Sequence, residues 1–140
     1  MSATPLALAN FPKDKRPPYG PYPGVVDAPA HDGDTINILL DFGGRNYDVW
    51  PIRLNTVRAP ELNQVGGPET RDFLQSLIPV GHFVIVQTDF KETVHTEDYS
   101  FERLVGVIWQ LEKPVGIDLD MSVNDLVKQF VADHGYPPGR

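Results

Sequence analysis

The chain has 140 residues, 41% of them hydrophobic and 22% charged, which is material for one compact domain and too little for two. A formal charge of −7 argues against broad, sequence-independent attraction to nucleic acid, and the absence of cysteine excludes disulfides, thiolate metal sites and cysteine nucleophiles. No apolar run is long enough to cross a bilayer and the N-terminus lacks the charged-then-apolar order of a secretory signal, so a soluble protein without a membrane partner is expected, cytoplasmic or virion-associated.

Residues 1–23 carry Pro5, Pro12, Pro17, Pro18, Pro21 and Pro23 around Lys13-Asp14-Lys15-Arg16, Tyr19 and Tyr22. Proline at this density favours extended chain over helix or central strand. The stretch is expected to be an arm that wraps its own domain or grips a neighbouring protein, with 24–140 as the globular domain. Its cations and tyrosines also suit contact with nucleic acid by charge and stacking; docking to protein is at least as good a reading.

From Gly24 the pattern changes to short strand-like runs: Val25-Val26, then residues 35–40, then residues 47–54. Ile36, Ile38 and Leu40 alternate with Thr35, Asn37 and Leu39, as in a strand with one face buried, and Gly43-Gly44 supplies a hairpin turn. Pro51 cannot donate a ladder hydrogen bond and predicts a bulge or an edge in the third strand. Gly66-Gly67-Pro68-Glu69 opens a short amphipathic helix through Phe73, Leu74, Leu77 and Ile78, stopped by Pro79-Val80-Gly81. Residues 82–88 read as a fourth strand, the polar stretch 91–100 as a loop, and 104–109 as a fifth strand. Ser122 with Asp125 three residues on starts a second helix, whose apolar face is Val123, Leu126, Val127, Phe130 and Val131 and which Gly135 ends. The order βββαββα, mainly β with two helices, is that of a five-stranded OB-type barrel, a fold that commonly serves oligonucleotides or oligosaccharides.

The chemistry concentrates in His31-Asp32-Gly33-Asp34-Thr35, Ile52-Arg53-Leu54 and Ala59-Pro60-Glu61. Two aspartates, an arginine and a glutamate on adjacent elements are the inventory for hydrolysing a phosphodiester. Singly, each has a plainer origin: an acidic turn, a surface-paired strand arginine, a turn-opening glutamate. His31, His82, His95 and His134 are not paired by spacing and stay outside the site, and Trp50 and Trp109 are expected to pack in the barrel or at its rim.

These residues, in this order, resemble the staphylococcal nuclease family of OB-fold domains over about residues 25–136. The family's Asp-Gly-Asp-Thr is matched by Asp32-Gly33-Asp34-Thr35, its third-strand arginine by Arg53, the glutamate of its Pro-Glu element by Glu61, and the arginine of its Tyr-Gly-Arg element by Arg103, with Phe101-Glu102 before it. The resemblance implies a nuclease acting on DNA or RNA with a divalent cation, calcium by its all-oxygen ligands, held by Asp34 with Asp32 in support. Glu61 would orient or deprotonate water, and Arg53 and Arg103 would clamp the phosphate. Arg58 departs from the pattern, standing where the family supplies a second metal-binding aspartate. Two dispositions are open. Arg58 points away and the site is completed by Asp34, the Ala59 carbonyl, water and substrate; or its guanidinium takes the metal position and pairs with Asp34 or Glu61. The first keeps an enzyme. The second leaves a catalytically impaired binding or structural module, suited to a multichain assembly such as a virion. The chain also stops soon after Tyr136-Pro137-Pro138, from which a shorter substrate groove is expected.

Overall fold

The computed structural model describes residues 19–111 and 121–139. Its elements are β1 (Tyr19–Val26), β2 (Thr35–Asp41), β3 (Tyr47–Leu54), α1 (Gly67–Leu77), β4 (Phe83–His95), β5 (Ser100–Gln110) and α2 (Val123–His134). The strands close into an OB-type barrel in the order β1-β2-β3-β5-β4, with β3 and β5 parallel and the other neighbours antiparallel. The expected βββαββα order is the one observed.

Alternation fills the barrel. Ile36, Ile38 and Leu40 of β2, Ile52 and Leu54 of β3, Val84 and Val86 of β4 and Ile108 of β5 all point inward and are fully buried, and Leu74, Ile78, Val123 and Val127 extend this core towards the helices. Pro51 pairs with Asn37 in an unbroken β2–β3 register, while β5 joins β3 only from Ile52 onward. Pro51 therefore stands on an open edge, where a missing donor is harmless.

Two expected boundaries are displaced. Residues 19–23, assigned to the arm, form the start of β1, and residues 1–18 lie outside the described residues. β1 meets β2 only from Gly24 to Val26, so among the described residues Pro21 and Pro23 occupy a stretch bonded on one side, towards β4. The expected loop at 91–100 is instead a continuation of β4 and β5 into a ribbon, closed at its tip by Thr96 N–H donating to the Tyr99 carbonyl at 2.8 Å. Beyond the barrel both faces of this ribbon meet water, so its polar sequence follows from its surroundings and not from a lack of strand. Cross-strand pairs line it: Lys91 with Glu102 at 3.4 Å, and Arg103 with Glu92.

Both helices start as their sequences dictate. Gly66, at φ 86°, precedes α1 with Pro68 in its first turn, and a reciprocal capping box between Ser122 and Asp125 opens α2. Phe73 of α1 stacks on Phe130 of α2 with centroids 4.2 Å apart and planes 10° apart, and Phe130, His134 and Tyr136 continue the contact towards the C-terminal turn. Asn124 fixes α2 to the barrel. Its buried amide donates to the carbonyls of Asn55 and Gly106, each at 3.0 Å, and accepts from the Ile108 N–H at 3.1 Å. Among the described residues no helix is long and apolar enough to cross a membrane.

Candidate functional site

The Asp32–Asp34 turn leads into β2 and is held from three sides. Asp34 N–H donates to Asp32 Oδ1 at 3.1 Å, Leu54 N–H donates to the Asp34 carbonyl at 2.8 Å, and Asp32 bridges to Thr35. Gly33 is required by its neighbours: a Cβ there would lie 2.8 Å from the Ala59 Cβ and 2.6 Å from Thr70 Cγ2 of α1. That contact brings the segment carrying Ala59 and Glu61 against the aspartates.

Register assembles the rest. Thr35 pairs directly with Arg53 and Arg53 with Val105, so these three share one face of the sheet, and Arg103, two residues before Val105, shares it as well. The Thr35 hydroxyl donates to Asp34 Oδ1 at 3.1 Å. The Arg53 guanidinium donates to the Leu54 carbonyl at 3.4 Å and the Val57 carbonyl at 3.3 Å, which fixes it beside Asp34. Burial pushes the Asp34 carboxyl up to about 7, helped by a hydrogen bond and like charge from Asp32 and opposed by the Arg53 charge and the Thr35 hydroxyl.

The other predicted residues sit around this pair. Glu61 is half-buried, its backbone N–H receiving no freedom to wander: it donates to Gln64 Oε1 at 2.7 Å while Gln64 N–H donates back to the Glu61 carbonyl at 2.8 Å. Its Oε1 lies near Gly139, and the Ala59 carbonyl, expected as a metal ligand, is covered by Gly139, whose lack of a side chain permits the contact. Arg103 shares the sheet face with Arg53, but its Nε donates to Glu92 across the ribbon. Arg58 is exposed and lines a groove against α2; the guanidinium acting on Asp34 is that of Arg53.

Among the described residues no three His, Cys, Asp or Glu side chains converge as a metal-binding group. Two carboxyls in mutual repulsion, one of them with a raised pKa, nevertheless fit a cation that would relieve that repulsion. Asp32 and Asp34 would be its protein donors, fewer than the resemblance implies. Sequence reasoning passed over three contributors: Thr35, whose hydroxyl is committed to Asp34; Glu92, hidden in a stretch read as loop; and Asn124, whose position two residues after the Ser122 cap was the available signal.

No protein-family model matches the chain, and the search of curated proteins gave no match.

Proposed function

We propose that this chain is a staphylococcal-nuclease-like phosphodiesterase that hydrolyses DNA or RNA at the end of the barrel where the Asp32–Asp34 turn meets Arg53. The reading is supported above all by the β2–β3–β5 register, which sets Thr35, Arg53 and Arg103 on one face of the sheet, with Asp34 joined to Thr35 by a hydrogen bond and the turn packed through Gly33 against the segment that leads from Ala59 to Glu61. A divalent cation held by Asp32 and Asp34, calcium by the all-oxygen donor set, would supply charge neutralisation and polarisation of the phosphate when bound. Arg53 is already oriented by two carbonyls and binds non-bridging phosphate oxygens with its fork. Arg103 joins it by exchanging Glu92 for phosphate. Glu61 takes a proton from the water that attacks phosphorus, one P–O ester bond breaks, and the leaving oxygen is protonated from solvent.

A second reading, a binding or structural module on the same barrel without hydrolysis, is favoured by the engagement of Arg103 with Glu92 and by the lack, among the described residues, of a third acidic or histidine side chain beside Asp32 and Asp34. Single-stranded DNA separates the two. Cleavage with added calcium, lost on chelation and lost in Glu61→Gln while the fold survives, is expected for the enzyme. A folded protein that binds the strand and cleaves nothing with any of several divalent ions sinks hydrolysis and leaves the module.

A further inference from the structure

Adjoining the Val57 carbonyl that holds Arg53, the turn after β3 and one face of α2 border a groove of about 250 Å³ lined by Thr56, Val57, Arg58, Lys128, Val131 and Ala132. Its floor is aliphatic and its two charged residues, one from each wall, are both cations. Lys128, Val131 and Ala132 share a helix face by their spacing of three and four residues. In a chain of net charge −7, Arg58 and Lys128 are exposed, and among the described residues neither side chain has a hydrogen bond or an ion pair. The acid nearest to Lys128 on its own helix face, Asp125, is committed to the Ser122 cap. Thr56, at the lip, has φ 65°, a left-handed conformation that is uncommon for a β-branched residue and is held by Val57 N–H donating to the Leu54 carbonyl at 3.3 Å. That strained turn links the two places through Val57, whose carbonyl accepts from Arg53 of the candidate site and which, itself buried in the core, borders the groove.

We infer that this groove is a second phosphate subsite, in which Arg58 and Lys128 grip the backbone of a single-stranded nucleic acid one step beyond the phosphate held at Arg53. The inference rests on the proposed function for the identity of the strand. The groove's chemistry calls for an anion flanked by apolar surface, and a sugar-phosphate backbone supplies both. Arg58 then acquires a role: it extends the phosphate track instead of taking the metal position. Recognition through the backbone carries no base preference, so all sequences are held alike.

The test measures anisotropy of labelled single strands of about twelve nucleotides with the full chain, in wild type, Arg58→Ala, Lys128→Ala and the double variant, across a salt series. The double variant is expected to bind about tenfold more weakly near 0.1 M salt, equally for all sequences, with the slope of log affinity against log salt smaller by about 0.7 for each lost contact. Arg58→Lys retains most of the slope, which separates charge from packing. The rate on a substrate with a single diester bond is expected to be unchanged in the double variant. Unchanged strand affinity and slope in the double variant overturn the subsite, as does a wild type that binds no strand. Inorganic phosphate that binds wild type but not the double variant, with no effect of the variant on strands, also overturns it. A wild type that cleaves nothing while the double variant loses strand affinity overturns hydrolysis alone and leaves the subsite standing.

Discussion

The two arginines placed on one face of the sheet belong to regions built on different principles. Arg53 sits in the closed part of the barrel, between fully buried Ile52 and Leu54, and its guanidinium is tied to two main-chain carbonyls. Arg103 sits where β5 leaves the barrel, and a single carboxylate, Glu92 on the facing strand, holds it. Main-chain carbonyls cannot move without moving the fold. A partly exposed ion pair is worth little and is weakened by salt. The barrel end thus presents a preset group and the ribbon an exchangeable one.

The largest test of that contrast is catalytic. Glu61→Gln, on the barrel side, is expected to lower cleavage by about 10²-fold or more with the fold intact, since it removes a proton acceptor and keeps the side chain's size; a variant with wild-type rate takes Glu61 out of the mechanism. Asn124→Ala, which takes the partner of the Ile108 N–H and of the Asn55 carbonyl and leaves the Gly106 carbonyl only the Asn55 N–H, is expected to cost about 2–3 kcal/mol by chemical denaturation. A loss under 1 kcal/mol would show that water replaces the amide and that this wall of the barrel is softer than its burial implies.

The next effect is in pH. Asp34 in the folded protein keeps its proton up to about 7, whereas the unfolded chain releases it near 3.8. Between those values the native state holds the extra proton, so stability falls as pH rises from about 4 to about 7 and then levels. Asp34→Asn, a neutral mimic, should flatten that stretch of a melting-temperature profile and raise the melting temperature at pH 8. Calcium should raise it in wild type at pH 8 and not in the variant. A variant that follows the wild-type slope assigns the titration elsewhere.

On the ribbon the effects are smaller. Glu92→Gln releases Arg103 and is expected to raise cleavage severalfold; an unchanged rate means the pair does not compete with phosphate. Removing the exposed Lys91–Glu102 pair should change stability by less than about 0.5 kcal/mol, and a larger loss would mean the ribbon is part of the cooperative fold.

The barrel was legible in the sequence because its inward residues alternate and its helices carry their own start and stop signals: Gly66 with Pro68, Ser122 with Asp125, Gly135. The ribbon was not, because a strand wetted on both faces has no apolar period to betray it. Residues 19–23 were misjudged for a related reason, since proline density says nothing about which edge of a strand is bonded. Of the site, the motif residues were visible as letters, and the contact of Gly33 with Ala59 ties two of their segments together. The direction of Arg58 was not legible. It is set by the Thr56 turn and by α2, some seventy residues further along the chain.

The ribbon carries one more consequence. Among the described residues, past Phe90 on β4 and before Leu104 on β5 each strand is paired only with the other, which leaves two outer rows of peptide groups without a strand partner there. Such rows are templates for a foreign strand, and Lys91, Glu92, Glu102 and Arg103 act there as gatekeepers against self-association. Neutralising those four to simplify the hairpin would trade solubility for an adhesive edge.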